Sequence, residues 1–150
     1  MGNSRQPNGS GGTSTATEFD PVALGNLEGK IAERARVGDL ITYSELFSGV
    51  EFVMPTTWPG KPHLFDVHEW TQQERTIATD YLRMICERSQ ERFGFMATAI
   101  VVRKGTLRPS ETFFELAEEM KLLRRGSREG AQTRFWADQV KKVHEHYAKS

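Results

Sequence analysis

His63-Leu64-Phe65-Asp66-Val67-His68-Glu69 is the densest run of titratable side chains in the sequence. In an extended backbone, alternation puts His63, Phe65 and Val67 on one side and Leu64, Asp66 and His68 on the other. Asp66 and His68 would then face the same way, as an acid–base pair or as two metal ligands. The spacing matches no metal motif, and His68-Glu69 also reads as the approach to a helix cap at Thr71, where acidic groups suit a helix N-terminus. A second cluster, His144-Glu145-His146, falls near the end of a helical pattern. Residues two apart on a helix point about 200° from each other, so these imidazoles do not chelate one ion. The single cysteine, Cys86, allows neither an intramolecular disulfide nor a multi-cysteine zinc site. It has no adjacent histidine, and the neighbouring Glu87 disfavours its thiolate. HExxH, Walker A, GxGxxG and GxSxG are absent. The expectation is a non-enzymatic protein with no catalytic residue, no metal and no cofactor, and a hydrolase using Asp66 and His68 is the third reading.

Basic residues offer different chemistry. Lys and Arg total 20 against 20 Asp and Glu, so no global field draws the chain to nucleic acid, and DNA binding needs a local patch. Arg103, Lys104 and Arg108 cluster after an apolar run, and Lys121, Arg124, Arg125, Arg128 and Arg134 are opposed only by Glu129. Arg103, Lys104 and Arg108 are candidate phosphate contacts. Gln72, Gln73, Arg75 and Thr76 open a long helical pattern, and Gln and Arg can read adenine and guanine edges bidentately. Glu69 and Glu74 would repel phosphate at that same helix end, and a charge run is often only a solvated face. The alternative is an adaptor for a protein partner, with Trp58, Phe65 and Trp70 of the aromatic stretch 50–70 as anchors.

The elements that must position these residues follow from caps and periodicity. Residues 1–18 are polar and rich in Gly, Ser, Thr and Asn, and read as a disordered tail; residues 19–150 read as one domain. Gln6 stands where a myristoylation motif needs Ser or Thr, and the polar N-terminus has no signal-peptide core. No run of about 18 apolar residues occurs, so no membrane association is expected, and a single free cysteine suits a reducing cytoplasm. Asp20-Pro21 starts a helix with Leu24, Leu27, Ile31 and Ala35 on one face. Thr42 and Glu45 have capping-box spacing, and so do Thr71 and Glu74, which open the longest helix, to about Arg92. Pro55, Pro59 and Pro62 exclude a regular helix between. Phe95–Lys104 reads as a buried strand bounded by Gly94 and Gly105. Ser110 caps a further helix, and a last one starts near Ala131.

Three of these pieces carry a resemblance. Ile41-Thr42-Tyr43-Ser44-Glu45-Leu46 resembles the TYxEL helix start in the winged-helix half of DNA alkyltransferase-like proteins. Val101-Val102-Arg103-Lys104, then Pro109, Phe113-Phe114-Glu115-Leu116-Ala117 and Phe135-Trp136, resemble a group of small uncharacterised bacterial proteins with a VVxK…P…FFELA…FW pattern. Together they span most of residues 27–147. The resemblance implies an α+β, mainly helical, winged-helix-like domain with additional C-terminal helices, in which the strand end forms a DNA-contacting wing. It does not imply alkyl transfer, because Cys86 lacks the Pro-Cys-His-Arg setting that activates the thiol. The leading reading is a nucleic-acid-binding or regulatory protein.

Overall fold

In the computed structural model, residues 18–149 are described. The tail expectation over 1–17 lies outside them. Glu18, expected in that tail, instead accepts the backbone N–H groups of Thr56 and Thr57 at 2.8 and 2.7 Å. The fold is α+β and mainly helical, in the order α1 (Pro21–Arg36), β1 (Ile41–Thr42), α2 (Tyr43–Phe47), β2 (Glu51–Phe52), β3 (His63–Leu64), α3 (Gln72–Phe93), a 3-10 turn (Ala97–Ile100), β4 (Val101–Val102), α4 (Glu111–Glu119) and α5 (Glu129–Ala148).

The helices start where their caps place them. Asp20 accepts the Val22 and Ala23 N–H groups, and its other oxygen takes the Val53 N–H at 2.8 Å, so one carboxylate caps α1 and ties down the loop beyond β2. Both capping boxes form, Thr42 with Glu45 and Thr71 with Glu74. Gly94 closes α3 in the left-handed conformation at φ 80°, which a Cβ would strain. Ser110 is the N-cap of α4 without a side-chain hydrogen bond, and α5 starts at Glu129.

The stretch 50–70, free of helix as its prolines require, contains an antiparallel pair, with Glu51 opposite Leu64 and Phe52 opposite His63. One expectation is corrected. The strand expected over Phe95–Lys104 reduces to Val101–Val102, pairing in parallel with Ile41–Thr42. A strand needs a neighbour, and β1 ends where Thr42 becomes the cap of α2. The preceding backbone is satisfied by side chains instead: Met96 N–H donates to Gln139 Oε1 at 2.8 Å and Ala97 N–H to Ser89 Oγ at 2.9 Å. A short apolar run does not by itself distinguish strand from buried helical turn.

The core has two adjoining parts. The larger joins α1, α2, the 50–70 stretch and one face of α3 around Leu27, Ile31, Phe47, Phe52 and Ile100. The smaller joins Cys86 of α3 to Phe113, Phe114 and Leu116 of α4, with Trp136 of α5 packed on it. Among the described residues, no helix is long and apolar enough to cross a membrane.

Candidate functional site

A cleft of about 460 Å³ opens between α3 and α4. Its α3 wall is one helical stripe, Arg75, Thr79, Leu82 and Arg83, placed together by i, i+4, i+7 and i+8 spacing. Arg103, just after β4, faces this stripe, and Thr98 of the 3-10 turn, Ser110 and Thr112 add hydroxyls. Tyr43 and Trp70 supply rings at the edge. Tyr43 also fixes the far wall, because its hydroxyl accepts the Ser110 N–H at 3.0 Å, linking α2 to the start of α4.

The charge of the cleft is one-sided. Three arginines line it and no carboxylate does. Arg83 is bridged to Glu119 at 3.2 Å, which holds its guanidinium pKa up and the Glu119 carboxyl down. Arg75 and Arg103 pair with no carboxylate among the described residues.

Of the residues expected to meet nucleic acid, the fold brings Arg75 and Arg103 to this one cleft. Gln72, Gln73, Thr76 and Lys104 are exposed and lie outside its lining. Arg108 turns toward α5, donating to Thr133 Oγ1 at 3.1 Å and lying 5.4 Å over the Trp136 ring. Arg103 N–H donates to Arg108 O, and Leu107 N–H to Arg103 O, so 103–108 form a closed turn. Sequence reasoning missed Thr79 and Arg83; their helical spacing from Arg75 was the available signal.

Glu74, expected to repel phosphate at the start of α3, is 2 % exposed. Its Oε1 accepts the Thr71 N–H at 2.9 Å, and its Oε2 meets His63 Nε2 at 2.7 Å and the Asp66 N–H at 3.2 Å. Burial pushes this carboxyl up, but the hydrogen bonds from Thr71, His63 and Asp66 outweigh it and hold the pKa below the ordinary glutamate value. Glu69 remains exposed.

The aromatic stretch is packed down. Phe65 is buried between Phe47, Phe52, Trp58 and Trp70, and the Trp58 ring stacks on His63 at 3.8 Å. Trp58 and Trp70 are half-buried, and Trp70 Nε1–H donates to Val67 O. Asp66 and His68 meet through backbone, His68 N–H donating to Asp66 Oδ1 at 3.1 Å. His144 Nε2 lies 2.9 Å from Asp39 O, while His146 packs against Phe93 and Phe95. Cys86 is fully buried, and burial, with a smaller push from Glu87, raises its thiol to about 12. No protein-family model, curated protein or solved structure matches the chain.

Proposed function

We propose that this chain is a non-enzymatic, winged-helix-like nucleic-acid-binding or regulatory protein. The start of α3 would face base edges with Gln72, Gln73, Arg75 and Thr76, and the turn after β4 would meet phosphates with Arg103 and Lys104. The observation that carries this reading is the pair of exposed guanidiniums, Arg75 and Arg103, that line one cleft free of carboxylates, with Gln72 and Gln73 exposed in the same first turn of α3 as Arg75. Glu74, buried and bonded to His63 and to the Thr71 and Asp66 N–H groups, presents no exposed carboxylate at this end of α3. The resemblance of Ile41–Leu46 to the alkyltransferase-like helix start favours the same reading. Arg108 contributes by holding the turn against α5.

The test is titration of labelled duplex and single-stranded DNA at two salt concentrations, followed by anisotropy. Salt-sensitive binding near micromolar is expected, with Arg103→Glu and Lys104→Glu each lowering affinity and flattening the salt slope by about 1. Absence of binding at low salt overturns the proposal.

The second reading is an adaptor that docks a protein on the 50–70 stretch. It rests on Val53 and Leu64, 59 % and 53 % exposed beside the aromatic cluster. A partner that co-purifies with the wild type and is lost from Val53→Lys, Leu64→Lys would favour it over the first.

A further inference from the structure

The cleft is more than a surface for a duplex to lie on. Its volume, about 460 Å³, falls within the range of roughly 300–1,000 Å³ found for small-molecule sites. Duplex contact needs exposed charge but no recess. Here Ala78, Leu82, Phe113 and Leu116 give the cleft an apolar floor below the arginines. Trp70 and Tyr43 add ring surface, and Ser110 and Thr112 add hydroxyls at the start of α4, while the Thr79 hydroxyl donates to Arg75 O at 2.9 Å.

These parts define a ligand. A flat apolar body would lie over the floor and against the rings, where burial and stacking favour it. A negative group would meet Arg75 and Arg103, which have no carboxylate of their own among the described residues. Ser110, whose side chain does not cap α4, is free to donate to the same group. Arg83 suits this less well, being already bridged to Glu119 at the rim. An uncharged ring would gain nothing from the two guanidiniums that line the cleft, and a bare anion would leave the apolar floor wet. We infer that the cleft between α3 and α4 binds a small organic anion, a phosphate monoester on a planar ring, held by Arg75 and Arg103 over the floor of Leu82 and Phe113.

This goes beyond duplex binding, although Arg75 and Arg103 serve both, so the experiment includes variants that serve only one. Tryptophan emission, to which Trp70 at the cleft edge contributes beside Trp58 and Trp136, is followed while the full chain is titrated with phenyl phosphate and adenosine 5′-monophosphate. Phenol, adenosine and inorganic phosphate are the controls. The phosphorylated rings should give a saturable change at about tenfold or more lower concentration than each control, since phenol and adenosine lack the charge-assisted hydrogen bonds and inorganic phosphate lacks the ring that covers the floor. Arg75→Gln and Arg103→Gln should each weaken them by about tenfold or more. Thr79→Phe, with native circular dichroism, should fill the cleft and abolish the response while duplex binding persists. Lys104→Glu should weaken duplex binding and leave the response to the phosphorylated rings unchanged. No saturable change up to ~10 mM with either phosphorylated ring, beyond the weak end of small-ligand affinity, overturns the inference. An unchanged affinity in Arg75→Gln does so as well. Anion binding without duplex binding would leave this inference standing and overturn the nucleic-acid reading.

Discussion

Glu74 does two jobs with one carboxylate. It completes the capping box of α3 and holds the 63–66 segment against the helix through His63 and the Asp66 N–H. Replacing it with Gln puts an NH2 group where only acceptors fit, so Glu74→Gln should cost about 2–3 kcal/mol at neutral pH, read from urea midpoints. Its folded-state pKa lies below the ordinary value of 4.5, so its contribution is complete above that value and is lost as pH falls through the lower folded one. The stability gap between wild type and Glu74→Gln should therefore narrow as pH is lowered from about 5 to 3. A gap that stays constant would show that the carboxylate form is not what stabilises the loop. Cys86 gives a prediction of opposite character. With its thiol pushed up to about 12 and no exposed surface, it should resist a disulfide reagent in the native state and react fully in denaturant. Rapid native labelling would contradict the burial.

At the scale of elements, α5 supplies polar groups that the short strands cannot. Gln139 is 4 % exposed and accepts the Met96 N–H, and Trp136 Nε1–H donates to Ala99 O at 2.7 Å, so one helix face satisfies both ends of the 97–100 segment. Gln139→Leu should leave the Met96 N–H buried and unpaired, lowering stability by about 2 kcal/mol in chemical denaturation. A loss under about 0.5 kcal/mol would mean that water replaces the amide. The same face explains what the sequence could and could not reveal. Asp20-Pro21, Thr42 with Glu45, Thr71 with Glu74 and Gly94 were legible because a cap is a bargain among residues within one turn. The β2–β3 pair, the 97–100 turn and the parallel β1–β4 pairing were not, because each depends on residues far apart along the chain. The candidate site divides in the same way. Arg75 and Arg103 were identifiable by charge, but their convergence on one cleft depends on α4 and on the Tyr43–Ser110 bond, which spans 67 positions. Glu74 was recognised as a cap and misjudged as a repelling charge, since nothing local indicates that His63 comes to meet it.

At the scale of the whole molecule, the two core parts meet along α3, which gives Ile77, Tyr81 and Ile85 to the larger and Cys86 to the smaller. Arg88 on α3 bonds Glu28 on α1 at 2.9 Å and Arg83 bonds Glu119, so charged pairs flank both seams. Exposed pairs of this kind are worth little, so Arg88→Ala should change stability by less than about 1 kcal/mol in thermal melts. A larger loss would place that pair among the determinants of how α1 sits. Val143 of α5 is fully buried in the larger core part, and His144 reaches Asp39 across 105 positions. A ribosome makes such a molecule in an awkward order: β1 must wait for β4, and the 97–100 turn must wait for Gln139 and Trp136. A nascent chain with residues up to about 128 outside the ribosome would carry four helices whose shared interior lacks its last wall. Arrest at that point should leave it open to protease and to hydrophobic dyes, and releasing about twenty further residues should close it in one step.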